Sequence, residues 1–275
     1  MGQTVKSLIL VTHTGRPAAL EAARQLRILA EESGVEVVPE GVAADVVVAL
    51  GGDGTILRAA GLALSLDAPL LGVNLGNLGF LSTVDVSRLD RVVKGLKENE
   101  FTTDERMMLD ARVYQSAKGA DVEVARVAAL NEVLVERGTA SRIISIKVTV
   151  GSEQVAVYEA DGFIVSTPTG STAYSLSAGG PVVEPTLDAM VLTSVSAHAP
   201  LWRSIVVGPS REVTLEMPDD RTSFSSDGQQ VVMLEAGGKI VVRPHPKTLK
   251  LLTLHGKAFY SKLRSRFRIE PSMEQ

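Results

Sequence analysis

The sequence predicts an α/β fold joined to a β fold: an N-terminal domain built on a parallel sheet, then a β-rich C-terminal domain. Three observations carry this. Short continuous apolar runs such as Val46–Leu50 alternate with helical stripes over roughly the first 100 residues, the pattern of a parallel sheet covered on both faces. Beyond Met107 the period becomes two: Ile144, Ile146, Val148 and Val150 alternate with Ser145, Lys147 and Thr149, and Val213, Leu215 and Met217 with Thr214 and Glu216. Gly151-Ser152 and Asp227-Gly228 fall where hairpin turns would join such strands.

In chain order, Ser7–Val11 reads as a first buried strand. Pro17 then opens a helix whose apolar stripe is Leu20, Ala23, Leu26, Leu29 and Ala30, and Gly34 ends it. Val35–Val38, Val46–Leu50 and Pro69–Val73 read as further strands. From Asn74 to Leu81 glycines and asparagines interrupt an apolar run; Asn77 either reaches a site or serves the backbone geometry of a loop. Ser87–Glu98 reads as a helix capped by Ser87, with Leu89, Val92, Val93 and Leu96 buried. The pattern changes near Thr102–Glu105, which places the first domain at 1–104 and the second at 105–254. Residues 255–275 are expected to return to the first domain, with Lys257–Arg268 an amphipathic helix bearing Phe259, Leu263 and Phe267 on one face.

A chain of 275 residues, 45% hydrophobic, can bury the cores of two such domains. Its formal charge of −4 gives no general attraction to nucleic acid or acidic lipid, so neither is expected as a partner. The absence of cysteine excludes disulfides and thiolate metal sites and fits a cytoplasmic protein. No apolar run approaches the roughly 20 residues that span a bilayer, and the first residues carry no signal-peptide pattern.

Chemistry concentrates in three stretches. Gly51-Gly-Asp-Gly-Thr55 follows a buried strand and opens a helix that carries Ile56, Ala60, Ala63 and Leu64 on one stripe. Gly51, Gly52 and Gly54 would allow left-handed backbone and close approach of a ligand, and the helix N-terminus suits phosphate. Asp53 is then a base or metal binder in phosphoryl transfer, or simply the cap of that helix. His13 and Arg16, in the turn after the first strand, either face a phosphate or are solvated, and that turn lacks the dinucleotide Gly-x-Gly-x-x-Gly spelling. In Val127–Val135, Asn131 and Glu132 interrupt an apolar run: the amide can read a base edge and the carboxylate can accept from sugar hydroxyls, unless the pair sits on an exposed edge or bulge. Asp161–Pro181 runs a short strand into a loop dense in hydroxyls and glycines, with a short helix around Thr172–Ser177 and Tyr174 able to stack on a polar ligand.

Taken together, Gly51–Thr55, Asn131-Glu132 and Asp161–Pro181 resemble the NAD kinases, which phosphorylate NAD at the 2′-hydroxyl of its adenosine ribose to give NADP. Gly-Gly-Asp-Gly-Thr alone is shared with lipid kinases; the run Thr167–Pro181 is far more selective. The resemblance implies that Asp53 accepts the hydroxyl proton, with Gly54 beside NAD and Arg58 suited to phosphate. It implies adenosine contacts at Asn131 and Glu132, and a dinucleotide site lined by Thr172, Ala173, Tyr174, Ser175, Leu176 and Ser177. Arg142, Glu159 and Asp161 match positions that approach the ligand, and Gln229 is a further match. Ser204 departs from the pattern, which has proline there. ATP or polyphosphate would be the donor and the assembly a homodimer or homotetramer. Without a Gly-x-x-x-x-Gly-Lys loop, a divalent cation, Mg²⁺ or Mn²⁺, together with Arg58 and backbone N–H groups would neutralise the phosphates. A lipid kinase and a catalytically silent NAD-binding sensor are the alternatives.

Overall fold

The computed structural model describes residues 5–13, 15–76, 79–117, 119–138, 143–198, 203–254 and 259–268. The chain divides into two compact units, Met1–Glu105 with Leu249–Gln275, and Arg106–Thr248.

The first unit opens with β1 (Ser7–Thr12), α1 (Pro17–Glu32), β2 (Glu36–Val38) and β3 (Val46–Leu50). It continues with α2 (Asp53–Leu66), β4 (Leu70–Asn74), β5 (Val84–Asp85), α3 (Leu89–Glu98) and β6 (Phe101–Arg106). Its sheet runs β2-β1-β3-β4, then the chain's last strand, Leu249–Leu254, then β6. β1 pairs in parallel with β2 and β3, and β4 in parallel with β3 and with that last strand. All residues of β3 and β4 are buried, as continuous apolar runs demand when helices cover both faces. The order 2-1-3-4 places the topological switch between β1 and β3, whose carboxyl ends, Thr12 and Leu50, are paired side by side.

Several local features differ from the sequence reading. α1 buries Ala19, Ala22, Leu26 and Ala30, while Leu20 is half exposed: small residues line the face closest to the sheet. Gly34 does end α1, at φ +72°, with the Val35 N–H returning to the Ala30 carbonyl. α3 starts at Leu89, with Arg88 and not Ser87 at its N-cap position; Ser87 lies in a preceding 3₁₀ turn capped by Asp85, whose carboxylate accepts the Ser87 N–H at 2.9 Å. Leu249–Leu254, read as part of the second domain, belongs to the first sheet, where Leu251 and Leu252 face Leu70 and Leu71 and are buried. The C-terminal helix spans Phe259–Phe267; Lys262 on it donates to the Phe80 and Ser82 carbonyls, while Phe267 is exposed.

The second unit comprises β7 (Leu109–Ala117), β8 (Ala120–Ala129), β9 (Glu132–Arg137), β10 (Ile144–Val150), β11 (Glu153–Ala160) and β12 (Gly162–Ser166). After α4 (Tyr174–Ser177) come β13 (Met190–Val195), β14 (Ile205–Val207), β15 (Val213–Met217), β16 (Thr222–Ser226), β17 (Gln229–Leu234) and β18 (Gly238–Pro244). They form two antiparallel sheets, ordered β11-β10-β15-β18-β7-β8 and β14-β13-β12-β9-β16-β17. Inward residues of both, among them Val113, Ile146, Leu215, Val135, Phe163 and Phe224, make one hydrophobic cluster. The alternation read in β10 and β15 is the burial pattern observed, and Gly151 turns the β10–β11 hairpin at φ +63°.

Candidate functional site

Each unit contributes its own constellation. In the first, β3 ends at the switch point and turns through Gly51 and Gly52 into α2. None of Gly51, Gly52 and Gly54 has a positive φ, so the left-handed backbone expected of them is absent. Their reason is space. A Cβ on Gly51 would lie 2.2 Å from Thr55 Oγ1, whereas positions 52 and 54 look onto open space and leave the helix N-terminus approachable.

Asp53 is the first residue of α2, and its side chain does not cap that helix; the N-cap is Gly52. The carboxylate turns to another segment: Oδ2 accepts the Phe80 N–H at 3.0 Å and Oδ1 the Leu81 N–H at 3.2 Å. Gly79 lets that loop close in, since a Cβ there would stand 2.0 Å from Oδ1. An ionised carboxylate offers about four acceptor positions, so two N–H groups orient Asp53 and leave capacity for a proton or ligand. Arg58, exposed one turn along, donates to the Thr12 carbonyl at the end of β1, which sets its guanidinium over the switch point with further donors available. Asn77 lies outside the described residues.

In the second unit, Asn131-Glu132 stands where the chain passes from β8 in one sheet to β9 in the other, and not at an edge or bulge. The loop after β12 packs directly on it. Thr167 donates through its N–H to the Asn131 carbonyl at 2.8 Å and through its hydroxyl to the Leu130 carbonyl at 2.5 Å. Gly170 is required at this contact, because a Cβ would fall 2.1 Å from the Asn131 carbonyl oxygen. A 3₁₀ turn over Gly170–Thr172 and then α4 follow. Tyr174 is exposed, Thr172, Ala173 and Leu176 are half-buried, and Ser177 is exposed, so this segment presents a mixed polar and apolar surface. Ser175 is fully buried and its hydroxyl bonds Thr193 Oγ1 at 3.1 Å; it supports the segment from within. Ser204, the departure noted above, extends this chain at 2.9 Å from Thr193 Oγ1, an interaction proline could not make.

The residue that sequence reasoning read only as a turn is Asp227. It and Gly228 take φ of 48° and 75°, as a tight hairpin between β16 and β17 needs. Its carboxylate accepts three successive N–H groups, Leu130 at 2.9 Å, Asn131 at 2.8 Å and Glu132 at 3.1 Å. The available signal was an acid beside glycine in a turn, which does not reveal a bond to a strand nearly 100 residues earlier.

Glu132 is 8% exposed and its Oε2 is buried without a partner. Burial, with the charge of Asp227 behind it, pushes its carboxyl up to about 8, against the opposing hydrogen bond from the Tyr174 N–H. Burial also raises Asp227, which its three N–H partners counteract. Two acids so close hold one proton at neutral pH, and we place it on Glu132, since Asp227 has the donors that favour the charged form. A neutral Glu132 offers a ligand both a donor and an acceptor.

Other expected ligand positions are less committed. Asp161 pairs with Arg137 at 3.0 Å, Glu159 is exposed on β11, and Gln229 is exposed at the start of β17. Arg142 lies outside the described residues. Among the described residues no group of three His, Asp or Glu could hold a metal ion, and no helix is long and apolar enough to cross a membrane.

The ATP-NAD kinase N-terminal domain model matches residues 36–101 and the ATP-NAD kinase C-terminal domain model residues 130–254. The NAD kinase of Acetivibrio thermocellus is 40% identical over 225 residues, covering 81% of this chain and 76% of that protein. The chain belongs to the NAD kinase family. A second NAD kinase, from Thermobifida fusca, is 34% identical over 96% of this chain and 90% of its own length. The fold agrees with solved members. Yeast NADH kinase complexed with NADH superposes with a TM-score of 0.86 at 21% identity, covering 100% of this chain and 91% of that one. An Archaeoglobus fulgidus NAD kinase in complex with ATP gives 0.73 at 23% identity, covering 96% and 99%. As an NAD kinase family member, the chain places the three family stretches that its sequence displays at the switch-point corner and at the β8–β9 crossing.

Proposed function

We propose that this family member transfers the terminal phosphoryl group of ATP to the 2′-hydroxyl of the adenosine ribose of NAD, giving NADP, with Asp53 as proton acceptor. Membership of the NAD kinase family gives the reaction. The observation that carries the role of Asp53 is its carboxylate, oriented by the Phe80 and Leu81 N–H groups at an open helix N-terminus on the switch point. In this reading the ribose oxygen bonds the γ-phosphorus as the bond to the ADP oxygen breaks, and the hydroxyl proton passes to Asp53.

The rest of the assignment follows from chemistry. The N-terminus of α2 and the guanidinium of Arg58 suit the donor's phosphate charge. Asn131 and neutral Glu132 offer paired donors and acceptors to the adenosine portion, and Oε2 of Glu132 gains the partner it lacks. Tyr174, exposed, can stack; Thr172, Ala173, Leu176 and Ser177 line the same surface, and Arg142, Glu159, Asp161 and Gln229 are carried as outer contacts. Among the described residues Asp53 is not grouped with two further His, Asp or Glu, and its carboxylate suits a divalent cation that arrives on the donor phosphates. Such a cation, Mg²⁺ or Mn²⁺, would neutralise phosphate charge. Polyphosphate as donor and NADH as acceptor are arms of the same assay.

The test is Asp53→Asn. Asparagine keeps the shape and can accept one of the two loop N–H groups through its oxygen, losing the other bond, so melting temperature and NAD affinity are measured on the same preparation. Loss of a general base should lower NADP formation by about 100-fold to 10,000-fold. A folded variant that keeps more than about a tenth of wild-type turnover would refute the role.

A further inference from the structure

The loop that orients Asp53 is itself held from behind. Lys262, on the C-terminal helix, donates from Nζ to the Phe80 carbonyl at 2.9 Å and to the Ser82 carbonyl at 3.0 Å. The Phe80 carbonyl and the Leu81 N–H belong to one peptide group. In a trans peptide these two point in opposite directions. One face of that peptide therefore meets the ammonium of Lys262 and the other the carboxylate of Asp53, whose Oδ1 takes the Leu81 N–H at 3.2 Å. A cation on the carbonyl polarises the peptide and strengthens donation by its N–H, so the two bonds reinforce each other.

Other contacts hold the rest of the loop. Leu81 is 3% exposed and anchors it in the core, and the Thr83 N–H bonds the Gly72 carbonyl at 3.0 Å, which ties the far end to β4. Within the loop the Gly79 N–H bonds Ser82 Oγ at 3.2 Å. The Phe80–Leu81 peptide plane, the one that faces Asp53, is set from outside the loop by Lys262.

We infer that Lys262 is a positioning residue: through the Phe80–Leu81 peptide, the C-terminal helix fixes the orientation of the Asp53 carboxylate. The inference rests on Asp53 being the proton acceptor. It assigns the C-terminal segment a part in turnover as well as in packing, and it predicts a specific kinetic signature. Misplacing a reacting group by a fraction of an ångström to about 1 Å costs up to about 100-fold in rate without a matching loss of substrate affinity.

The experiment compares Lys262→Met, Lys262→Arg and Arg264→Met with wild type and Asp53→Asn, all in the full chain. Arg264 is exposed on the same helix and controls for the loss of one positive charge. Melting temperature is read first, then kcat and KM for NAD. Lys262→Met is expected to lose about 10-fold or more in kcat with KM for NAD within about twofold. Lys262→Arg, which can still donate to both carbonyls, should recover most of kcat, and Arg264→Met should match wild type. If Lys262→Met does not fold, Lys262→Gln carries the same comparison. Wild-type kcat in Lys262→Met, an equal loss in Arg264→Met, or a loss confined to KM would each overturn the inference. Asp53→Asn separates the two assignments: if it keeps its turnover, the base reading fails whatever Lys262 does.

Discussion

Replacing Glu132 by glutamine should remove a pH dependence that the fold imposes on its own stability. In the folded chain this carboxyl is pushed up to about 8 from 4.5, first by burial and then by Asp227. Between those values the folded state keeps a proton that the unfolded state has released. Stability contributed by this group is therefore greatest below 4.5 and declines as pH rises towards 8. At about 1.4 kcal/mol for each pH unit, the ceiling on the loss is about 5 kcal/mol. Glutamine has the same shape, can accept the Tyr174 N–H through its oxygen and does not titrate, so its curve lacks this slope. At about 2–4 °C for each kcal/mol in a protein of this class, the melting temperature of wild type should fall relative to Glu132→Gln by about 5 °C or more between pH 5 and pH 8. Calorimetric melts of both proteins across that range read the difference directly, with the titration of groups away from the Glu132–Asp227 pair cancelling in the comparison. Parallel curves would refute the proton placed on Glu132.

Two further outcomes follow from the proposed chemistry. Excess chelator should abolish NADP formation and added Mg²⁺ or Mn²⁺ restore it, because no lysine of a phosphate loop balances the donor's charge; undiminished turnover in chelator sinks this. The homo-oligomer implied by family resemblance should appear in light scattering as a mass of two or four protomers of 29.2 kDa, and a monomer at assay concentration would end that proposal.

Legibility in the sequence tracked locality. β3, α2 and the alternation in β10 and β15 could be read because the residues that decide them are neighbours in the chain: one face buried gives period two, both faces buried give an unbroken apolar run. The last strand could not be placed, since Leu-Lys-Leu-Leu-Thr-Leu is equally apolar against either sheet and only its pairing with β4 decides. The site divides in the same way. Gly51–Thr55 and Asn131-Glu132 announce themselves by spelling, but Asp227 and Lys262 act through backbone groups of distant segments, and a backbone donor has no sequence signature. The left-handed backbone expected of the motif glycines is absent. Gly51 and Gly170 serve clearance, at Thr55 Oγ1 and at the Asn131 carbonyl, which depends on which segment arrives there, while Gly52 and Gly54 face open space.

Asp53 and Asp227 show why one aspartate of this chain suits proton transfer and the other does not. Each is pinned by successive backbone N–H groups from another part of the chain, so the local chemistry is similar. The difference lies in how much of each carboxylate is committed and in what stands beside it. Asp227 accepts three N–H groups at 2.8–3.1 Å, next to an acid that already carries the shared proton; taking up a second proton would weaken the bonds that hold Leu130, Asn131 and Glu132 in place. Asp53 accepts two, at the mouth of a helix whose Gly52 and Gly54 positions face open space, and its loop is also held by Lys262 through the Phe80 and Ser82 carbonyls. A base must change its protonation in each turnover without losing its place. On the inference above, the lysine behind the loop would meet this need, because its bond to the Phe80 carbonyl would keep the Leu81 N–H of the same peptide aimed at Asp53 through each change of charge.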